Sequence, residues 1–184
     1  AWNKKDPGLG YPEIVEKAVR AKPFAGFIDP DDDLFFAPQD NIAAIREYLD
    51  KTGQTDVDTE DIGTVARIVY EALAFKYRYV VDRLKAATGQ QVEVLHIIGG
   101  GTKNALLNQF SANALGFQVK AGPAEATATG NLLLQAYGCN EVNSLQEIRE
   151  VVRASNEMEV FEPENETAGE WARAYEQFKA VCGL

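Results

Sequence analysis

The sequence predicts a helix-rich α/β domain, and three observations support this fold class. Residues 59–88 carry apolar side chains at steps of three and four, which is typical of one long amphipathic helix. After residue 90, short apolar runs alternate with helical patterns, which indicates a sheet with helices packed on it. Glycines follow several segments and predict where those segments end. With 184 residues, the chain is expected to form a single domain over 1–184.

Three helices and one short strand are predicted before residue 90. Pro12–Ala21 is predicted to be a short helix with proline near its start. Phe24–Ile28 is a short apolar run that suggests a strand, and Gln39–Thr52 has the pattern of an amphipathic helix. In the long helix over Thr59–Thr88, one continuous apolar stripe is expected, and it comprises Ile62, Val65, Val69, Leu73, Tyr77, Val80 and Leu84.

Strands and helices alternate in the second half. The predicted strands are Val92–Ile98, which is expected to be buried, Phe117–Ala121 and Met158–Phe161. The predicted helices cover Thr102–Leu115, Ala124–Tyr137 with Gly138 as its stop, a segment opened by Ser144 and Glu147, and Thr167–Val181. In the last helix, Trp171, Tyr175 and Phe178 lie on one face and predict core packing.

Composition excludes several classes of function. Lys and Arg total 18 against 28 Asp and Glu, and a net charge of −10 disfavours binding to nucleic acid or to anionic membranes. No apolar run approaches the roughly 20 residues that cross a bilayer. Cys139 and Cys182 are too few for a disulfide framework, which favours a reduced, cytoplasmic location. The opening residues Ala1–Asp6 carry no signal-peptide pattern and are interpreted as the tail of a longer protein.

A glycine run between a strand and a helix is the strongest functional signal. Gly99, Gly100 and Gly101 have no Cβ, so a ligand can approach their backbone closely. A helix start supplies free N–H groups that favour an anion or a polar ring edge. The carboxyl end of a strand in an open α/β sheet is the usual ligand edge. Asn104, predicted just inside the helix, carries donors and an acceptor that can read a purine or ribose edge.

The glycine pattern alone leaves two readings open, a nucleotide or phosphate site and a purely structural turn. A Walker loop is excluded because its Gly-Lys-Ser/Thr ending is missing. A dinucleotide fingerprint is disfavoured because Asn104 occupies the third glycine position. The strand that follows also lacks a terminal acidic residue to hold a ribose.

The segment His96–Asn131 resembles the carboxyl-terminal lobe of the carbohydrate kinases that include glycerol kinase and xylulokinase. It contains His-Ile-Ile-Gly-Gly-Gly-Thr-Lys-Asn and then Ala-Gly-Pro-Ala-Glu-Ala-Thr-Ala-Thr-Gly-Asn. Within that family, Phe27–Asp32 and Ala121–Ala126 make the chain most similar to the rhamnulokinases. The resemblance covers nearly the whole chain.

The resemblance implies an actin-like kinase of two lobes, each with a ribonuclease-H-type core, and ATP bound in the cleft between them. Gly100 and Asn104 match the positions that contact the adenosine part of ATP, and Gly99 and Gly101 are expected to shape the loop. The whole enzyme would transfer the γ-phosphoryl group to L-rhamnulose, giving L-rhamnulose 1-phosphate, with Mg²⁺ held by the nucleotide.

The same resemblance assigns the general base and the sugar-binding groups to the amino-terminal lobe. No catalytic residue is therefore expected in this chain, which is interpreted as a lobe truncated at its amino end. The alternatives are a non-catalytic nucleotide-binding or scaffold domain, or a kinase for xylulose, fuculose or glycerol. The sequence predicts no oligomeric state.

The acidic turn, the histidine and Glu125 have ordinary structural interpretations. Asp29, Asp31 and Asp33 have the spacing of a calcium loop, but Leu34 stands where that loop needs glycine, which favours a solvated acidic turn. His96, the only histidine, is predicted to be a hydrogen-bonded core residue. Glu125 is expected to cap a helix start, where its charge suits the dipole.

Overall fold

The computed structural model describes residues 8–184, which form seven α-helices and three short strands. The opening segment Ala1–Asp6 lies outside the described residues. In chain order, the elements are α1 Tyr11–Arg20, α2 Asn41–Lys51, α3 Ile62–Thr88, β1 Leu95–Ile97, α4 Ala105–Leu115, β2 Val119–Ala121, α5 Ala126–Gly138, α6 Leu145–Ser155, β3 Glu159–Phe161 and α7 Ala168–Cys182. Two 3₁₀ turns cover Asp33–Phe35 and Gly99–Lys103.

Local side-chain chemistry explains where several helices begin. Asp40 accepts the backbone N–H of Ile42 at 2.8 Å at the start of α2. Asp61 accepts the N–H of Thr64 at 2.7 Å at the start of α3, and the Thr64 hydroxyl and N–H lower the pKa of that carboxyl. At α6, Ser144 accepts the N–H of Glu147 at 3.1 Å, as the capping spacing predicts.

The three strands form one small mixed sheet in the order β1–β2–β3. β1 runs parallel to β2, and β2 runs antiparallel to β3. All three strands predicted after residue 90 are confirmed, although each is shorter than expected. The expectation that the first strand is buried is wrong, because in residues 8–184 β1 pairs with β2 alone. His96 is exposed and is not a core residue, and Ile98 is 57% exposed.

The strand suggested at Phe24–Ile28 is absent from the described residues, and a side chain explains why. Gln54 accepts the N–H of Phe27 at 2.7 Å and donates its amide N–H to the Phe27 carbonyl at 2.8 Å. One side-chain amide therefore satisfies both backbone groups that a neighbouring strand would otherwise pair.

The helix α3 buries two faces instead of the single stripe that the sequence predicts. One face joins α1, α4 and α7 through Ala66, Tyr70, Ala74 and Phe75. The other contributes Val65, Ile68 and Ala72 to a second cluster with residues of α2. Of the seven residues of the predicted stripe, Val65 is buried, four are partly buried, and Val80 and Leu84 are 54% and 50% exposed.

An aromatic cluster forms the main core around Phe75, which is completely buried. Its ring centroid lies 5.3 Å from that of Trp171, 6.1 Å from that of Tyr175 and 5.4 Å from that of Phe178. The prediction that these three residues of α7 pack in the core is confirmed. Phe24 also contacts Phe75, with ring centroids 6.0 Å apart.

A buried ion pair joins α3 to the end of α1. Arg67 Nε lies 2.7 Å from Glu71 Oε1, and the guanidinium also donates to the carbonyl of Ala21 at 3.2 Å. Glu71 accepts the N–H of Phe24 at 3.0 Å, where the chain has a φ of 53°. Burial raises the pKa of Glu71 to about 7, although Arg67 and the Phe24 N–H oppose that shift.

The acidic turn after Ile28 forms ion pairs with Lys76 of α3. Lys76 Nζ lies 2.7 Å from Asp29 and 3.1 Å from Asp31. Residues 8–184 contain no group of three or more acidic, His or Cys side chains placed to hold a metal ion. Over the same residues, no helix is long and apolar enough to cross a membrane. Cys139 is exposed, Cys182 is half-buried, and both are free thiols.

Candidate functional site

The carboxyl ends of β1 and β2 bring two turns together at one edge of the sheet. β1 is followed by the 3₁₀ turn Gly99–Lys103, and β2 is followed by Gly122 and Pro123. The N–H of Gly122 donates to the Ile97 carbonyl at 2.9 Å, and the N–H of Gly99 donates to the Pro123 carbonyl at 3.2 Å. The turns therefore lie side by side, at the edge that open α/β sheets use for ligands.

The three glycines of the run have three different environments. Gly99 has a φ of +74°, a backbone conformation that favours glycine. A Cβ added at Gly101 would lie 3.3 Å from Cγ2 of Ile97. At Gly100 the φ is ordinary and no atom lies within 4 Å of the place where a Cβ would be. Gly100 is exposed, so its backbone faces open space at the rim of the edge.

The start of α4 differs from the prediction. The helix was expected to open at Thr102, but residues 99–103 form a 3₁₀ turn and α4 begins at Ala105. Asn104 is consequently the N-cap and not a residue inside the helix. Its Oδ1 accepts the N–H of Leu107 at 3.1 Å, and the residue is only 5% exposed. The amide oxygen therefore serves the helix, because an N-cap oxygen satisfies an N–H that has no intrahelical partner.

Asn108, which the sequence pattern did not single out, holds the glycine turn through a hydrogen bond from α4. Asn108 is completely buried, and its Nδ2 donates to the Thr102 carbonyl at 3.1 Å. Within the turn, the Thr102 hydroxyl donates to the Gly99 carbonyl at 2.8 Å. The sequence signal is the position of Asn108 one helical turn after Asn104, which places its amide on the helix face that begins at the glycine turn.

Charged side chains of both signs border the edge. Lys103 is exposed at the end of the glycine turn, and Glu125 is exposed before α5. Glu125 occupies the N-cap position of α5, as predicted, where its charge suits the helix dipole, although its side chain makes no capping hydrogen bond.

Sequence comparison places this edge in a known family. The model of the FGGY family of carbohydrate kinases, C-terminal domain, matches residues 6–139. The chain belongs to this family. The match spans the glycine turn, both parallel strands and most of the helical core. The predicted kinship with the glycerol kinase and xylulokinase family is therefore confirmed.

The curated relatives include rhamnulokinases. The chain is 43% identical over 169 residues to the rhamnulokinase of Bacteroides thetaiotaomicron, an alignment that covers 92% of this chain and 34% of that protein. It is 39% identical over 155 residues to the rhamnulokinase of Bacillus subtilis (strain 168), covering 84% of this chain and 32% of that protein. The chain thus spans about a third of the length of these relatives.

Solved structures agree on the fold. Plasmodium falciparum glycerol kinase, solved with ADP, matches all of this chain over 36% of its own length, with a TM-score of 0.65 and 17% identity. Xylulose kinase from Rhodospirillum rubrum matches 97% of this chain over 35% of its own length, with a TM-score of 0.63 and 17% identity. The predicted fold class, a helix-rich α/β lobe of a carbohydrate kinase, is confirmed.

Proposed function

We propose that the chain is the ATP-side lobe of a sugar kinase that transfers the γ-phosphoryl group of ATP to L-rhamnulose, giving L-rhamnulose 1-phosphate. The identity to two rhamnulokinases over most of the chain supports this substrate. The general base and the sugar-binding groups would lie in the other lobe. The two free cysteines are consistent with a reduced, cytoplasmic enzyme.

Within this lobe, we propose that Gly99, Gly100, Gly101 and Asn104 bind the adenosine part of ATP. The open space at Gly100 carries this proposal, because a ligand can reach the backbone there without meeting a side chain. Gly99 turns the chain at the end of β1, and Asn104 fixes the point where the turn becomes α4. Beyond the oxygen used as a cap, the Asn104 amide carries two N–H donors, one of which hydrogen-bonds Tyr70 and the other of which suits a polar nucleotide edge.

The role of this edge is to bind and orient the nucleotide. ATP supplies the phosphoryl group, and Mg²⁺ would enter with the phosphates to neutralise their charge. Catalysis of this kind relies on positioning, so an error in the placement of the adenosine is carried to the reacting phosphate. Lys103, the one cation of the glycine turn, lies next to Asn104 in the sequence and is exposed.

Replacing Gly100 by valine tests this site in a full-length kinase that contains the chain. A branched side chain would enter the space assigned to the nucleotide, and we expect kcat/KM for ATP to fall about 30- to 1,000-fold, or roughly 2–4 kcal/mol. The KM for L-rhamnulose and the Tm should change little, because the new Cβ meets no atom of the protein within 4 Å. Steady-state kinetics with each substrate varied separately measure the effect.

A matched control lies at the end of α5. Gly138 also has no atom within 4 Å of an added Cβ, so Gly138→Val adds the same side chain away from the glycine turn. If Gly100→Val retains wild-type kinetics for ATP in a folded enzyme, the turn is purely structural. Assays with L-rhamnulose, xylulose and glycerol test the sugar. Higher kcat/KM for one of the other two would transfer the proposal to that sugar.

A further inference from the structure

Asn108 combines a contact to the glycine turn with an unsatisfied polar atom. Its Nδ2 donates to the Thr102 carbonyl at 3.1 Å, which directs that carbonyl of the turn into the protein. Its Oδ1 is buried and has no hydrogen-bond partner. The side chain is completely inaccessible, so its role is exerted through the turn and not by direct contact with a ligand.

A buried acceptor without a partner destabilises the folded state, because folding removes its hydrogen bonds to water without replacing them. An apolar side chain of similar volume would avoid this loss. Ser111, on the same helix and equally buried, shows the satisfied alternative, since its hydroxyl donates to the Leu107 carbonyl at 2.7 Å. The unpaired oxygen therefore costs stability, and only the hydrogen bond from Nδ2 to the Thr102 carbonyl offsets that cost.

We propose that Asn108 is a positioning residue for the nucleotide, which holds the Gly99–Lys103 turn in its binding shape at the expense of fold stability. The proposal rests on the proposed function, in which this turn binds adenosine. Asn108 fixes one carbonyl of the turn, and the Thr102 hydroxyl fixes the Gly99 carbonyl at the other end. Without the amide of Asn108, the turn would sample other shapes, and ATP would bind only the fraction that remains competent.

The substitution Asn108→Leu in the full-length kinase tests this proposal. It removes the donor to Thr102 and the unpaired acceptor together, while the side-chain volume stays similar. We expect the Tm to equal or exceed that of the wild type. We expect the KM for ATP to rise about three- to tenfold, which is the range for one neutral hydrogen bond, and the KM for the sugar to stay unchanged. A stability gain combined with weaker ATP use is a pattern that a purely structural residue does not produce.

Two further variants complete the design. Asn108→Ala also removes the donor and adds no bulk, so it should raise the KM for ATP even if leucine packs badly. Ser111→Ala is the control, because it removes a buried hydroxyl from the same helix that does not contact the turn. We expect Ser111→Ala to leave the KM for ATP at the wild-type value.

The result for Gly100→Val separates failure of this proposal from failure of the nucleotide site. If Gly100→Val impairs ATP use but both Asn108 variants keep the wild-type KM for ATP, the positioning role is wrong and the site stands. If Gly100→Val also leaves ATP use intact, the nucleotide site itself is wrong. If Asn108→Leu lowers the Tm and raises both KM values together, Asn108 only packs, and the proposal is overturned.

Discussion

The aromatic core around Phe75 and the glycine turn after β1 differ in burial and in how their polar groups are paired. Phe75 is completely buried among five neighbouring aromatic rings, whereas Gly100 is exposed and borders open space. Polar groups differ in the same way. Both carboxylate oxygens of Glu71, on α3, accept hydrogen bonds, whereas the buried amide oxygen of Asn108, which contacts the glycine turn, has no partner.

If the proposed nucleotide site is correct, stability and ATP binding depend largely on different residues of the chain. Substitutions in the core should appear in unfolding measurements. Substitutions at the edge should appear in the kinetics of ATP, with smaller changes in stability.

The largest expected effect on stability belongs to Phe75. Removing its ring leaves a cavity among packed aromatic side chains, and we expect Phe75→Ala to lower the free energy of unfolding by about 3–5 kcal/mol. Urea unfolding of the chain measures the change. Leu132, which is 67% exposed, provides the control, since Leu132→Ala should change stability by less than about 0.5 kcal/mol. A loss below about 1 kcal/mol for Phe75→Ala would show that the core repacks freely.

The second effect depends on pH and concerns Glu71, which is 1% exposed. Burial raises its pKa from the ordinary value of 4.5 to about 7, so the folded state binds a proton at pH values where the unfolded state has released it. Its contribution to stability is therefore complete below pH 4.5 and is lost as the pH rises to about 7. The loss should reach up to about 3 kcal/mol relative to a variant without this titration.

Glu71→Gln supplies that variant, because glutamine has a similar shape and does not titrate. Urea unfolding from pH 4.5 to pH 7 should give the wild type a more negative slope of stability against pH than Glu71→Gln. The comparison of slopes is independent of the absolute effect of leaving Arg67 without its carboxylate. Parallel slopes for the two proteins would mean that Arg67 keeps Glu71 ionised across this range.

The sequence predicted most elements because their signals are local. The helix ends at Gly89 and Gly116 have positive φ, and the capping oxygens of Asp61 and Ser144 lie within three residues of the N–H groups they accept. Long-range contacts were not predictable in this way. Gln54, which lies 27 residues after Phe27, hydrogen-bonds the backbone of Phe27 in place of a neighbouring strand. The apolar pattern of Phe24–Ile28 does not predict this contact.

The glycine run lies at the end of a strand, as the sequence predicts, but the shape of the turn follows from tertiary structure. The 3₁₀ turn is fixed by Thr102 and by Asn108 below it. The turn after β2 joins the edge only because the two strands pair in parallel. The pattern also predicts a single apolar stripe on α3, since it does not show that partners pack on two faces of this helix.

The third prediction separates the first two glycines of the run. Gly99 has a φ of +74°, whereas Gly100 has an ordinary φ. A Cβ in the left-handed conformation is strained, so Gly99→Ala should lower the free energy of unfolding by about 1–2 kcal/mol. Gly100→Ala is the matched control and should leave stability nearly unchanged. Equal stability of the two variants in urea would contradict the assignment of the strained conformation to Gly99.

The smallest expected effect is at Asn104, which contributes to stability as a helix cap and belongs to the proposed nucleotide site. Asn104→Ala removes the oxygen that caps α4, so stability should fall by about 1 kcal/mol. It also removes the amide donor proposed for the nucleotide, so kcat/KM for ATP should fall by roughly 2- to 12-fold. Ser144→Ala is the control, because it removes the cap of α6, which no proposal assigns to the nucleotide. If both variants lose the same stability and Asn104→Ala alone impairs ATP use, Asn104 serves the helix and the site together. If the kinetics of both match the wild type, Asn104 is only a cap, and ATP recognition rests on the glycine backbone.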